Sequence, residues 1–313
     1  MNLRIGSRGS QLALWQANHI AALLRAQGHS VEIQIIKTTG DRLQEVAFAQ
    51  IGSKGIFTKE IEEALADSRV DLAVHSLKDL PTELPAPFTL AATPPRVDPR
   101  DVSIAVNYLS LATLPPGARV GTSSPRRRAQ LKALYPDLQA VEFRGNIDTR
   151  ISKLIGRELE AILLAAAGVD RLDKSEWVRE RLEPSEFCPA AGQGALGIET
   201  RKDDAATNAA VAFLDDPATR FAITVERAAL AALGGGCQVP IGVYCRPSLI
   251  RVEDSEADEV FAVVADPVTG KAVRIFHREP HLGAGPVELG RLVAQKLLEA
   301  GAAPLLAANG GSR

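Results

Sequence analysis

The sequence predicts an α/β protein with two α/β lobes around a cleft and a smaller α+β C-terminal domain. Three observations carry this. Short β-prone runs alternate with helical periodicity through the first two-thirds of the chain, most regularly over 118–172. Two strand-to-helix turns in different halves, Gly6-Ser7-Arg8-Gly9-Ser10 and Gly121-Thr122-Ser123-Ser124-Pro125, bring hydroxyl and basic side chains to a helix start. Beyond residue 213 the pattern changes to an Ala-rich helix, three β-prone runs and a closing helix.

Composition limits the function classes. With 313 residues, 46% hydrophobic and 24% charged, the chain has an ordinary globular make-up and length for two or three cores. Lys+Arg 36 against Asp+Glu 38, with only 4% aromatic residues, argues against a general nucleic-acid binder. Any anion site must therefore be a local concentration of arginine. Cys188, Cys237 and Cys245 are too few and too unevenly spaced for a disulfide framework and fit a reducing cytosol. Arg4 and Arg8 interrupt the first residues, and no long apolar run occurs, so neither export nor a membrane span is expected.

In chain order, Leu3-Arg4-Ile5 reads as a strand. Leu12, Trp15, His19, Leu23 and Ala26 then recur at helical spacing up to Gly28, which makes His19 a packed residue. Val31 to Ile36 is the next strand. Residues 40–56, with Lys54 between glycines, read as a long loop, either a lid or a plain surface loop. Phe57 leads into a helix through Ile61, Ala64 and Leu65. Val70 to Val74 is a strand with His75-Ser76-Leu77-Lys78-Asp79-Leu80-Pro81 at its carboxyl end. There Asp79 either caps a turn before Pro81 or acts on a bound ligand. Pro-rich stretches at 81–87 and 94–99 read as a crossover to the second lobe.

That lobe is expected to hold strands 118–121, 138–143 and 160–164 with helices 125–134, 147–156 and 165–172. Ser124 should cap the first of these helices and Pro125 open it, giving a helix start suited to anions. Arg126 with Arg127, Arg144 with Arg150, and Arg171 follow three successive strands. Guanidinium forks pair bidentately with carboxylates and phosphates, so the set points to a ligand bearing several such groups. Asp148, between Arg144 and Arg150, is expected to offset part of their charge. Gly192-Gln193-Gly194-Ala195-Leu196-Gly197 matches a dinucleotide fingerprint in letters, but it leads into a short strand at Ile198-Glu199, not a helix.

In the last third a helix over 219–233 ends at Gly234-Gly235-Gly236, followed by Cys237-Gln238-Val239-Pro240. On chemistry alone Cys237 is either a buried structural thiol or one activated from elsewhere, since a helix C-terminus disfavours a thiolate. Runs near 241–246, 259–265 and 272–276 predict a small antiparallel sheet, helix 286–300 closes the domain, and the tail past Pro304 is expected to be loose. His277 and His281 have i, i+4 spacing, but Pro280 breaks the helix that would align them, so no metal site is expected.

Nearly the whole chain resembles the porphobilinogen deaminase family. The matching motifs are Arg8-Gly9-Ser10-Gln11-Leu12-Ala13-Leu14-Trp15-Gln16, Gly52-Ser53-Lys54-Gly55-Ile56-Phe57, the 75–81 stretch, Gly121 to Arg127, and Arg144-Gly145-Asn146. Most specific is Glu226-Arg227 followed by Gly235-Gly236-Cys237-Gln238-Val239-Pro240-Ile241-Gly242. The match weakens after Cys245.

The resemblance implies two periplasmic-binding-protein-like α/β lobes, 1–95 with 190–212 and 96–189, and an α+β cofactor-attachment domain over 213–313 with a three-stranded antiparallel sheet. It implies a dipyrromethane cofactor in thioether linkage to Cys237. It also implies a transferase that joins four porphobilinogen molecules head to tail with loss of ammonia, then releases hydroxymethylbilane by hydrolysis for tetrapyrrole biosynthesis. By the same likeness Asp79 is catalytic, stabilising positive charge on pyrrole nitrogen or assisting proton transfer. Lys78, Ser123, Arg126, Arg127, Arg144 and Arg150 bind the cofactor, and Arg8, Ser10, Arg171 and Gln193 the substrate. Lys54 and Phe57 belong to a lid that shifts as the product lengthens. Porphobilinogen is the expected partner, with no nucleic acid, membrane or metal, for a cytoplasmic monomer. The rival class is a non-enzymatic solute-binding protein of two lobes; the lack of an export signal, the third domain and the Cys237 signature count against it.

Overall fold

A computed structural model describes residues 1–39, 58–156, 158–235, 239–248, 257–280 and 283–308. Met1–Val97 with Gly194–Arg220 form one compact unit, and Asp98–Gln193 with Phe221–Arg313 another.

The first unit is built on β1 (Asn2–Ser7), β2 (Ser30–Ile35), β3 (Leu72–Ser76), β4 (Phe88–Ala92) and β10 (Leu196–Arg201), in the spatial order β2-β1-β3-β10-β4. β1 runs parallel to β2 and β3, while β10 is antiparallel to β3 and β4. Leu72 and Val74 face one side of the sheet and Ala73 the other, so each face has its own core. Helix α1 (Gln11–Ala26) covers the first face and α2 (Lys59–Ala66) the second.

α1 corrects the expected packing. Its buried residues are Gln16, Ala17, Ile20, Ala21 and Leu24, whereas Trp15 and His19 lie outward and stack with ring centroids 5.2 Å apart. Ala17 and Ala21 let the helix approach the sheet closely while Ile20 and Leu24 fill the remaining space. The bulkier, polar-tipped rings are left on the outer side.

The second unit repeats the sheet pattern. β5 (Asp101–Ala105), β6 (Arg119–Gly121), β7 (Gln139–Val141), β8 (Ala161–Ala165) and β9 (Val178–Leu182) take the order β7-β6-β8-β5-β9. β6 is parallel to β7 and β8, and β5 is antiparallel to β8 and β9. Helices α3 (Pro125–Leu134), α4 (Ile147–Ile155) and α5 (Ala166–Arg171) lie close to their expected places. The antiparallel strands β4, β5 and β9 were not read from the sequence.

After α6 (Ala205–Val211), helix α7 (Pro217–Ala232) ends in a Schellman turn. Gly234, at φ +67°, donates to Ala231 O at 3.0 Å, and Gly235 to Leu230 O at 3.0 Å. The second unit also contains the antiparallel sheet β11 (Ile241–Arg246), β12 (Ala257–Ala265) and β13 (Ala272–Pro280), packed on α7 and α8 (Pro286–Leu297). Cys245 is buried in that core. Past Pro304 the chain continues in α9 (Ala303–Ala308), with Leu306 packed into the same cluster, which corrects the expected loose end for the described residues.

Candidate functional site

In the first unit, the adjacent parallel strands β1 and β3 bring two motif turns to one sheet edge. Ser10 caps α1, its side chain accepting from Ala13 N at 3.3 Å. Gln16 Nε2 donates to Ser76 Oγ at 2.8 Å, tying α1 to the end of β3. A single 3₁₀ turn, Leu77–Asp79, follows β3 and is anchored by buried Leu77, whose N–H donates to Ala195 O at 3.0 Å. This leaves Asp79 exposed and Lys78 half-buried at the strand end, close in sequence to Ser76. Beneath them, His75 Nε2 lies 2.9 Å from Glu199 Oε2, both buried.

In the second unit, the ends of β6, β7 and β8 carry the basic motifs, the usual place for ligands in open α/β sheets. Ser124 caps α3, accepting from Arg127 N at 3.4 Å, and Pro125 opens the helix. Ser123 Oγ donates to Phe143 O at 3.0 Å and so joins the ends of β6 and β7. Gly145, at φ +127°, turns the chain into α4, where Asn146 Oδ1 accepts from Thr149 N at 2.8 Å. Arg150 Nε then donates to Gly145 O at 2.8 Å.

The arginines divide into two sets. Arg126 Nη1 donates to Asp101 Oδ2 at 2.6 Å and to Cys188 O at 2.7 Å, and its Nη2 reaches Asp101 Oδ1 at 3.2 Å. Arg127 Nε donates to Asp101 Oδ1 at 2.9 Å and Nη1 to Leu163 O at 3.1 Å. Gln193 Nε2 adds bonds to Asp101 Oδ1 at 2.9 Å and Pro99 O at 2.7 Å. Burial alone would raise the Asp101 carboxyl, but Arg126 and Arg127 overcome that and hold it well below the usual carboxylate range. Asp101 was not anticipated from the sequence. The available signal was an acid opening the run Val102-Ser103-Ile104-Ala105, since a charge carried into a core strand needs cationic partners.

The second set is differently placed. Burial, reinforced by the neighbouring Arg127 and Arg144 and opposed by Glu142, brings the Arg150 guanidinium down to about 10. Burial alone brings Arg171 to about 10. Both remain cationic at neutral pH; Arg171 is buried and Arg150 half-buried among other cations. A ligand rich in carboxylates relieves that cost, so the residues present fit a polycarboxylate such as a dipyrromethane.

The acid bonded to Arg144 is Glu142, with Arg144 Nε donating to Oε1 at 2.6 Å. Asp148 instead pairs with Lys174 at 3.4 Å, which corrects the expectation that it tempers this pair of arginines. Asp148 lies in the first turn of α4 and leads toward Lys174, whereas Glu142 leaves the same strand end as Arg144. Cys188 is inert: burial pushes its thiol up to about 12, and Sγ lies 3.4 Å from Phe261 O. Lys54, Phe57 and Cys237 lie outside the described residues.

The family model described as "Porphobilinogen deaminase, dipyromethane cofactor binding domain" matches residues 3–209, and the porphobilinogen deaminase C-terminal domain matches 220–299. The chain belongs to the porphobilinogen deaminase family. It is 47% identical to the porphobilinogen deaminase of Bordetella parapertussis over 97% of this chain and 95% of that protein. It is 45% identical to that of Chromobacterium violaceum, covering 97% and 96% of the two chains. Against that of Roseiflexus castenholzii the identity is 47%, covering 98% and 99%. Membership makes the chain a transferase of tetrapyrrole biosynthesis with a dipyrromethane cofactor-binding domain. Among solved structures, a periplasmic substrate-binding protein of an ABC transporter from Coxiella burnetii matches with TM-score 0.42 and 16% identity, covering 70% of this chain and 94% of that one. The fold class stands on the two mixed sheets and the three-stranded antiparallel sheet themselves. Among the described residues no helix is long and apolar enough to cross a membrane.

Proposed function

We propose that this chain condenses four porphobilinogen molecules head to tail, releasing ammonia, on a dipyrromethane held in thioether linkage by Cys237, and then frees hydroxymethylbilane by hydrolysis. The observation that supports this most is the placing of Arg144 and Arg150 after β7 and of Arg171 after β8, on either side of β6, with Arg171 buried and Arg150 half-buried. Each pyrrole ring carries an acetate and a propionate, so the lengthening product is a polycarboxylate. Each charge-assisted bond to it contributes roughly 1.5–3 kcal/mol.

In this reading Arg144 and Arg150, with Lys78 and Ser123, hold the cofactor's carboxylates. Arg126 and Arg127, expected from the resemblance to bind the cofactor directly, are bonded to Asp101, and in this reading they support that grip from the Asp101 cluster. Arg8, Ser10, Arg171 and Gln193 receive the incoming substrate. The bound cofactor supplies the pyrrole carbon to which the first substrate ring is joined. Asp79 accepts a hydrogen bond from pyrrole N–H, offsets positive charge developing on that nitrogen and takes part in proton transfer. Such positioned help is worth about 10²–10⁴-fold.

The working protein is a cytoplasmic monomer in this account, to which the buried free thiols Cys188 and Cys245 are suited. The reading takes three domains, 1–95 with 190–212, 96–189 and 213–313, and is supported at the last boundary by family models that end at residue 209 and begin at 220. The test is stoichiometric: purified protein given porphobilinogen should release four ammonia molecules per hydroxymethylbilane formed. Binding without ammonia release would favour the solute-binding alternative.

A further inference from the structure

We propose that Glu142 is a resident carboxylate that occupies Arg144 until a ligand carboxylate displaces it, and so sets how firmly this wall holds the growing product. The inference rests on the reading that Arg144 and Arg150 hold ligand carboxylates. Glu142 immediately follows β7, and Thr122 N donates to Val141 O at 2.9 Å, so its backbone is fixed at the strand end. Its two oxygens reach different arginines: Oε1 accepts from Arg144 Nε at 2.6 Å and Oε2 from Arg128 Nη2 at 2.8 Å. This is the geometry that a ligand carboxylate bridging two guanidiniums would adopt. With its side chain 48% exposed, Glu142 can leave for water at small cost. Other acids nearby are engaged elsewhere, Asp148 with Lys174 and Asp101 with Arg126 and Arg127.

The consequence is an exchange of one carboxylate for another. A ligand arriving at Arg144 replaces a bond already made, so it gains less than it would at a bare guanidinium. When the ligand moves on, Glu142 returns and Arg144 is not stranded without an anion. A site that passes a lengthening chain along needs this combination of capture and easy release.

The test uses the cofactor-free full chain (Cys237→Ser), in which no cofactor carboxylate occupies Arg144, and an unreactive probe, the pyrrole bearing acetate and propionate groups but no aminomethyl group. Half-exposed ion pairs are weak, so titration calorimetry should show Glu142→Gln and Glu142→Ala binding the probe about two- to five-fold more tightly. The Arg144 Nε–H resonance should move on probe addition in the wild type and start from a shifted position in Glu142→Gln. Unchanged or weaker probe binding in both Glu142 variants overturns the proposal. Arg144→Met is the control: if it binds the probe as well as wild type, the assignment of Arg144 to ligand carboxylates is wrong instead.

Discussion

Arg126 and Arg127 differ from Arg144, Arg150 and Arg171 in what faces them. The first two converge on the buried Asp101 carboxylate, whose single charge offsets part of theirs. At Arg171, buried, and Arg150, half-buried beside Arg127 and Arg144, burial is the largest influence, and both guanidiniums lie at about 10, below the usual arginine value. An arginine-rich motif therefore contains two devices. One ties β5 to α3; the other, in the proposed function, receives ligand carboxylates.

The contrast can be broken or sharpened by substitution. The largest effect is expected at Asp79, which lies in the other unit and tests whether chemistry separates from holding. Asp79→Asn should lower turnover about 10²–10⁴-fold while leaving cofactor content and probe affinity near wild type. Near-normal turnover would remove Asp79 from the mechanism.

Next comes Asp101→Asn, which strands two buried guanidiniums and should cost about 3–5 kcal/mol in denaturant unfolding. Its pH dependence has a definite sign. The folded-state carboxyl lies below its ordinary value of about 3.9, so its stabilisation is complete above that pH. It is lost as pH falls below about 4 toward the folded value. The stability gap between wild type and Asp101→Asn should therefore be full at neutral pH and narrow in acid. A gap that widens in acid would contradict the ion-pair account.

Arg150→Met should do the reverse of Asp101→Asn. Removing a desolvated cation among cations should leave the melting temperature unchanged or slightly raised, while probe affinity drops about tenfold, as for loss of one charge-assisted bond. A large fall in stability with intact binding would move Arg150 into the structural set.

Much of this was legible in the sequence wherever the signal is local. Ser124-Pro125 and Asn146 mark helix starts through their own side chains, and β6, β7 and β8 alternate with helices at a regular spacing. What was missed depends on partners distant in the chain. β5 buries Asp101 and Ser103 as fully as Val102 and Ile104, and Asp101 is tolerated there because Arg126 arrives from 25 positions away. Likewise, sequence adjacency nominated Asp148 as the acid beside Arg144, because it lies between Arg144 and Arg150. Strand direction gave that place to Glu142. The outward stacking of Trp15 on His19 was hidden for a similar reason, since two helical stripes satisfied the same periodicity and only the sheet chose between them.

The account turns on a carboxylate-rich group attached to this chain through sulfur. Intact mass spectrometry of the freshly purified protein tests that directly. It should weigh more than its polypeptide by one dipyrromethane, and Cys237→Ser should remove the excess together with activity. A wild-type mass equal to the bare polypeptide, in a preparation that still converts porphobilinogen, would contradict it.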